Sequence, residues 1–252
     1  MATAHQAGTR TEHAHQARAP STPTKHARPA RQTRPSNHRQ PRRTPIMSRT
    51  PNTDERRAQI AAALLAVMAK RGYEGAAIVD IAAKARLAPG LVHYHFDTKL
   101  EILEAATQML GAEHERVLDA ALAKAKTATA ALDAFIDVHL GLGAHADADR
   151  LACWVQIAGE AIRHASVRNE YAVVIGRLAK RAERTIRRGI TDGEFSCDNP
   201  AAAGAAIAAT IQGYFVMAAA ARELIPRGSA AASMRAMLGG LVHAVRPKAR
   251  AR

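Results

Sequence analysis

Two imidazoles flank a phenol at His93-Tyr94-His95, and an ammonium follows at Lys99. These side chains offer hydrogen-bond donors and flat faces instead of an apolar stripe. On a short helix, in a chain of net charge +14, they suit the phosphates and base edges of duplex DNA. They do not add up to catalysis. No nucleophile motif, phosphate loop or carboxylate pair of defined spacing is present. The twelve histidines are scattered, five of them within residues 1–52. Cys153 and Cys197 have neither a disulfide-framework nor a metal-ligand spacing, and they suit a reducing cytoplasm. The sequence therefore predicts a non-enzyme with no catalytic residue, cofactor or metal, and inert, partly buried thiols.

The ring cluster needs a scaffold, and the flanking residues supply one. Asn52 and Glu55 have the spacing of a capping box, and Ile60, Ala63, Leu64, Val67 and Met68 then form one apolar stripe. Lys70, Arg71 and Gly72 end that helix. A second helix is predicted over 78–85, with Ile81 and Ala82 inward. Pro89 opens a third, because its fixed φ and missing N–H cost nothing at a first helical position; it ends near Phe96. Thr98 and Glu101 form another capping box and start a longer fourth helix. Helices two and three, joined by a short turn, make a helix-turn-helix at about 77–96. Spacing alone does not separate this unit from other helical hairpins.

Beyond Thr127 the pattern stays helical. Segments near 132–140, 151–162 and 167–189 precede a break at 191–195. The third carries a polar face of Arg177, Lys180, Arg181, Glu183, Arg184, Arg187 and Arg188. Asn199-Pro200 opens an Ala-rich helix to about 223, and 225–228 separates it from a last helix, 229–245. No strand period or internal repeat is evident. The uncharged run 201–221 is membrane-length but is mostly Ala and Gly, and it reads as a buried helix. Residues 1–52 hold ten Lys or Arg and one acid, Glu12. Their composition predicts disorder. They read as an electrostatic arm for DNA, an organelle-type leader, or an extension upstream of a true start at Met47.

Gly72-Tyr73-Glu74-Gly75, Asp80-Ile81-Ala82, the run Pro89-Gly90-Leu91-Val92-His93-Tyr94-His95-Phe96, and Lys99-Leu100-Glu101-Ile102-Leu103 together resemble the DNA-binding head of the TetR/AcrR transcriptional regulators. The resemblance covers 54–114. It implies an all-α protein, with a three-helix helix-turn-helix head on a larger helical body at 115–246 that binds an effector and dimerises. It places Pro89, Gly90, Leu91, His93, Tyr94 and His95 where such proteins touch DNA. It sets Lys99 at a phosphate-contacting position and gives Phe96 a structural role. Two departures stand out. Ala76-Ala77 replace the hydroxyl residue that usually caps the second helix. Arg86 stands where the turn favours Gly, and Ala88 where Ser usually precedes the recognition helix.

For the body, the mixed apolar and polar residues Phe135, His139, Trp154 and Gln156 are candidate effector contacts, with Ile157, Glu160, Tyr214 and Met217. Glu160 is also read as exposed or paired with Arg163, and Trp154 as core. Small residues on the last two long helices, among them Ala203, Gly204, Ala208 and Gly213, suit a homodimer interface. The reading is a repressor that binds a palindromic operator as a dimer and is released by a small molecule. A transcriptional activator, or an interaction protein whose head no longer binds DNA, stays open as an alternative.

Overall fold

The computed structural model describes residues 53–141 and 147–245. The expectations for residues 1–52, including the Asn52 cap and the Met47 start, lie outside the described residues. Among these there are nine α-helices: α1 Thr53–Arg71, α2 Ile78–Ala85, α3 Pro89–His95, α4 Lys99–Leu122, α5 Ala128–Leu140, α6 Ala148–Arg163, α7 Ala165–Thr191, α8 Pro200–Ala220 and α9 Ser229–Leu238. A 3₁₀ turn, Arg222–Leu224, joins the last two.

The local signals act where the sequence places them. Ile60, Ala63, Leu64 and Met68 of α1 are buried, and Gly72 leaves the helix with φ +73°. The Thr98 hydroxyl accepts from Glu101 N–H at 3.1 Å, while the Glu101 carboxylate accepts from Asp97 N–H at 3.0 Å. Thr127 and Asn199 cap α5 and α8 in the same way. Each such cap contributes about 1 kcal/mol.

Two apolar clusters organise the chain. The first joins α1 to α4 around Ile60, Leu64, Ile81, Val92 and Phe96, and is completed by Cys153, Ile157 and Ala161 of α6 and Val167 of α7. The head is thus closed from below by the body. The second gathers Phe135, Ile136, Ile186, Ile207, Ile211 and Met234. α7 and α8 approach closely: a Cβ on Gly204 would stand 2.6 Å from the Ala179 carbonyl oxygen.

Three expectations need correction. The last helix stops at Leu238 instead of 245, because Gly239-Gly240 follow and the chain turns into a strand. That strand, β2 His243–Ala244, pairs antiparallel with β1 Phe195–Ser196, so a two-stranded sheet exists where no strand was expected. Two-residue strands are too short to show a period. The Ala-rich helix is also not a buried one. Only 28% of its most apolar window is buried, because α7 covers one side of α8 and leaves Ala205, Ala209, Gly213 and Val216 outward.

The recognition helix, its supports and the cavity behind them

α3 presents its chemistry outward. Val92 is fully buried and Phe96 is 2% exposed, whereas Tyr94 is 79% exposed. Pro89, Gly90 and His93 are exposed, and Leu91 and His95 are half-buried. A Cβ on Gly90 would meet nothing within 4 Å. The helix thus spends Val92 on the core and leaves its other face to solvent. Tyr94 and His95 rings meet edge-on, 5.1 Å between centroids. Phe96 has the structural role expected of it: the Arg57 guanidinium lies 3.9 Å over its ring and donates to the His95 carbonyl.

The turn that aims α3 has the backbone that favours Gly, although Arg86 occupies it. Arg86 is left-handed, φ 56° and ψ 43°. It is the one non-glycine with positive φ among the described residues. Leu87 N–H reaches back to Ala82 O at 2.9 Å and Arg86 N–H to Ala83 O at 3.0 Å, the wrapped ending of a helix that favours glycine. Ala77 and Ala88, at the starts of α2 and α3, provide no side-chain cap.

Lys99 is placed differently from the other candidates. Its ammonium donates to Tyr73 O at 2.9 Å and lies 4.3 Å over the Tyr73 ring. Glu74 is 3.9 Å away. It fastens the start of α4 to the α1–α2 loop, so this ammonium is already engaged within the head. Burial, with Glu160, Glu74 and Glu104 nearby, pushes the Tyr73 phenol up to about 12.

Behind the head, α4, α5, α6, α7 and α8 enclose a cavity of about 890 Å³. Of the eight residues proposed for an effector, His139, Trp154 and Tyr214 line it; Phe135, Gln156, Ile157, Glu160 and Met217 do not. Phe135 is fully buried in the body core, and Ile157 in the cluster under the head. Gln156 points to the head, donating to Met68 O at 3.4 Å. Met217 is 38% exposed on the outer side of α8. Glu160 is neither surface-exposed nor paired with Arg163; it is 8% exposed, with His164 Nε2 at 3.5 Å. Helical periodicity identified the apolar sides of α5 and α6, but each helix has two such sides, one facing the cavity and one the core.

Trp154 stacks on Tyr171 at 5.0 Å and donates from Nε1 to Gln212 at 2.7 Å. His139 is buried, which pushes its ring down to about 3, with His114 adding to the effect. It is therefore neutral near pH 7. Its Nδ1 lies 2.6 Å from the Phe135 carbonyl and so donates to it. Nε2 is left to accept from His114 Nε2 at 2.6 Å. The residues that sequence reasoning missed are Arg150, Arg177, Lys180, Arg181 and Arg184, all on the cavity wall. Four of them belong to the polar face of α7, which is indistinguishable in sequence from a solvated surface. Cys153 donates to Leu65 O at 3.2 Å, and burial pushes its thiol up to about 11, an inert group at neutral pH. Among the described residues no three His, Cys, Asp or Glu gather as a metal set.

An exposed ring-bearing helix on a three-helix head, backed by a cavity in a helical body, defines a helix-turn-helix regulator. Comparison with known proteins agrees. The family model for bacterial regulatory proteins of the tetR family matches residues 60–106, and that for the C-terminal part of BetI-type transcriptional repressors matches 142–243. Together they span more than half of the chain. The chain belongs to the TetR family of DNA-binding transcriptional regulators.

Similar solved structures include a TetR transcriptional regulator from Chloroflexus aurantiacus J-10-FL, 22% identical, TM-score 0.62, covering 77% of this chain and 98% of that one. A TetR transcription regulator from Haloarcula marismortui is 16% identical, TM-score 0.65, covering 75% and 99%. A proposed transcriptional regulator from Saccharomonospora viridis, in complex with choline, is 22% identical, TM-score 0.65, covering 77% and 99%. At these identities the likeness establishes the fold. Curated proteins give no match.

Proposed function

We propose that the protein is a homodimeric repressor that binds a palindromic operator through α3 and leaves it when a small molecule fills the cavity of the body. One observation carries this reading: α4 is a single helix that belongs to both the head and the cavity. Ile102, Leu103 and Ala106 pack in the head cluster; Leu110, Gly111, His114 and Leu118 of the same helix line the cavity. At 24 residues it is a rod of about 36 Å, so a shift at one end moves the other. α6 adds a second link, with Trp154 on the wall and Cys153 and Gln156 on α1. A ligand that favours one setting of these helices changes the spacing of two paired heads.

On this reading 54–114 is the DNA-binding head and 115–246 the effector-binding and dimerising body. Tyr94, His93 and Gly90 meet the groove, with Pro89, Leu91 and His95 beside them. Lys99 holds the head together and reaches phosphate only at its rim. The outward face of α8 pairs with that of a second copy, which is why its small and apolar residues lack cover. The BetI-type match supports repression. The choline complex of the Saccharomonospora viridis neighbour supports a body that takes a small organic molecule.

A reporter driven by the region upstream of the gene tests the reading. Repression predicts a lower signal with the intact protein and a restored signal with Tyr94→Ala. A signal that rises with the intact protein makes it an activator, and one that ignores it leaves the head without a DNA role there.

A further inference from the structure

The charge of the cavity wall is one-sided. Among the described residues, arginine and lysine supply seven of the lining positions, and carboxylates two, Glu115 and Asp147. Both carboxylates are engaged. Asp147 accepts from Asp149 N–H at 2.9 Å as the cap of α6, and Glu115 faces Arg177 at 3.6 Å. Arg177, Arg181 and Arg184 stand at i, i+4 and i+7 of α7, so one stripe of that helix bears guanidiniums along the wall. Arg177 and Arg181 are tied to Glu115 and Asp119 of α4. Among the described residues Arg184 has no carboxylate within ion-pair distance.

The apolar part of the wall includes Leu110, Leu151, Val174 and Phe215. A cation would have to rely on the aromatic faces of Tyr214 and Phe215, against seven cationic side chains and with both lining carboxylates already engaged. Trp154 already has Tyr171 stacked on it.

We infer that the effector is an amphipathic organic anion, with its acidic head on the α7 guanidiniums and its apolar body against those four side chains. This rests on the reading of the cavity as the effector site. Guanidinium forks match a carboxylate or phosphate two bonds at a time. The head competes with Glu115 and Asp119 for Arg177 and Arg181, ion pairs that join α4 to α7 beside the close approach of Gly111 to Val174. Pairs so exposed are weak, so a bound anion displaces them readily and shifts the setting of α4 against α7, and α4 continues into the head. Recognition of the ligand and release of the rod are then the same exchange of partners.

Three probes with one tail separate the possibilities: octanoate, octyltrimethylammonium and 1-octanol, titrated into the full chain. Trp154 is the one tryptophan of the chain and lines the cavity, so its fluorescence reports occupancy. Octanoate should saturate at least about tenfold tighter than the ammonium, weaken as salt rises, and weaken in Arg184→Gln while 1-octanol does not. Arg184 is exposed, so that variant folds. The inference is overturned if the ammonium binds as well as octanoate, if octanoate binds no tighter than 1-octanol, or if neither Arg184→Gln nor Arg177→Gln changes octanoate binding. Binding of duplex DNA is measured separately, so failure here leaves the regulator reading standing, and loss of DNA binding leaves this inference standing.

Discussion

Replacing Arg86 by glycine should stabilise the protein, and the margin follows from the turn. At φ 56° and ψ 43° a non-glycine side chain costs about 1–2 kcal/mol. Glycine removes that cost but loosens the unfolded chain by roughly 0.4–1 kcal/mol. The side chain is exposed and holds no hydrogen bond or ion pair among the described residues, so packing there is unaffected. Its charge near the end of α2 contributes a few tenths of a kcal/mol at most in this setting. The net gain is about 0.5–1 kcal/mol, which raises Tm by roughly 1–4 °C for a domain of this size. Arg86→Ala is the matched control, since it loses the same charge and keeps the backbone cost. Calorimetry at one scan rate should order the three proteins with Gly highest and Ala at or below Arg. An Arg86→Gly Tm at or below that of Arg86→Ala would show that the turn relaxes out of the left-handed region and that the reasoning is wrong.

Tyr94→Ala and Lys99→Ala should separate recognition from scaffolding. The first leaves stability within about 0.5 kcal/mol of the native protein and lowers affinity for a specific duplex by roughly 5- to 150-fold, the range of a lost base contact. The second lowers stability by about 1–2 kcal/mol, and Tm with it, through loss of the charged hydrogen bond to Tyr73 O; equal Tm effects in the two variants would count against this division. Glu194 accepts from Ala128 N–H, Thr129 N–H and the Thr129 hydroxyl, and these bonds hold its carboxyl below the ordinary range. Its contribution is present above the unfolded carboxylate pKa and lost as pH falls through the lower folded one. Glu194→Gln should therefore lower Tm at neutral pH and converge with the native protein in acid; a constant gap across pH would contradict this. Finally, log affinity for DNA should fall linearly with log salt, by about 0.9 per phosphate neutralised, and a flat dependence would exclude a phosphate-contacting head.

The head was more legible in sequence than the body, for physical reasons. Its elements are short and each is punctuated by a residue with one local job: Gly72 at positive φ, Pro89 at a helix start, Thr98 as a cap, Arg86 forced left-handed. Such signals act within four residues and need no partner elsewhere. The cavity has no local signal. Arg177 and Arg181 look like any solvated arginines until α4 brings Glu115 and Asp119 opposite. Glu160 looks exposed until the fold buries it beside His164. Lys99 reads only as a phosphate ligand, and its hold on the Tyr73 carbonyl shows once the α1–α2 loop is in place. The short sheet escaped notice because Phe195 and Ala244 pair across almost fifty residues, with no alternation to announce it.

On the proposed function α3 reads duplex DNA, with two copies acting together. Selection of bound duplexes from a random pool tests it most directly. The expected outcome is enrichment of one inverted repeat with half-sites about one helical turn apart, bound by two chains and lost in Tyr94→Ala. A pool that stays random after repeated rounds, or a motif bound by one chain and retained by Tyr94→Ala, would contradict it.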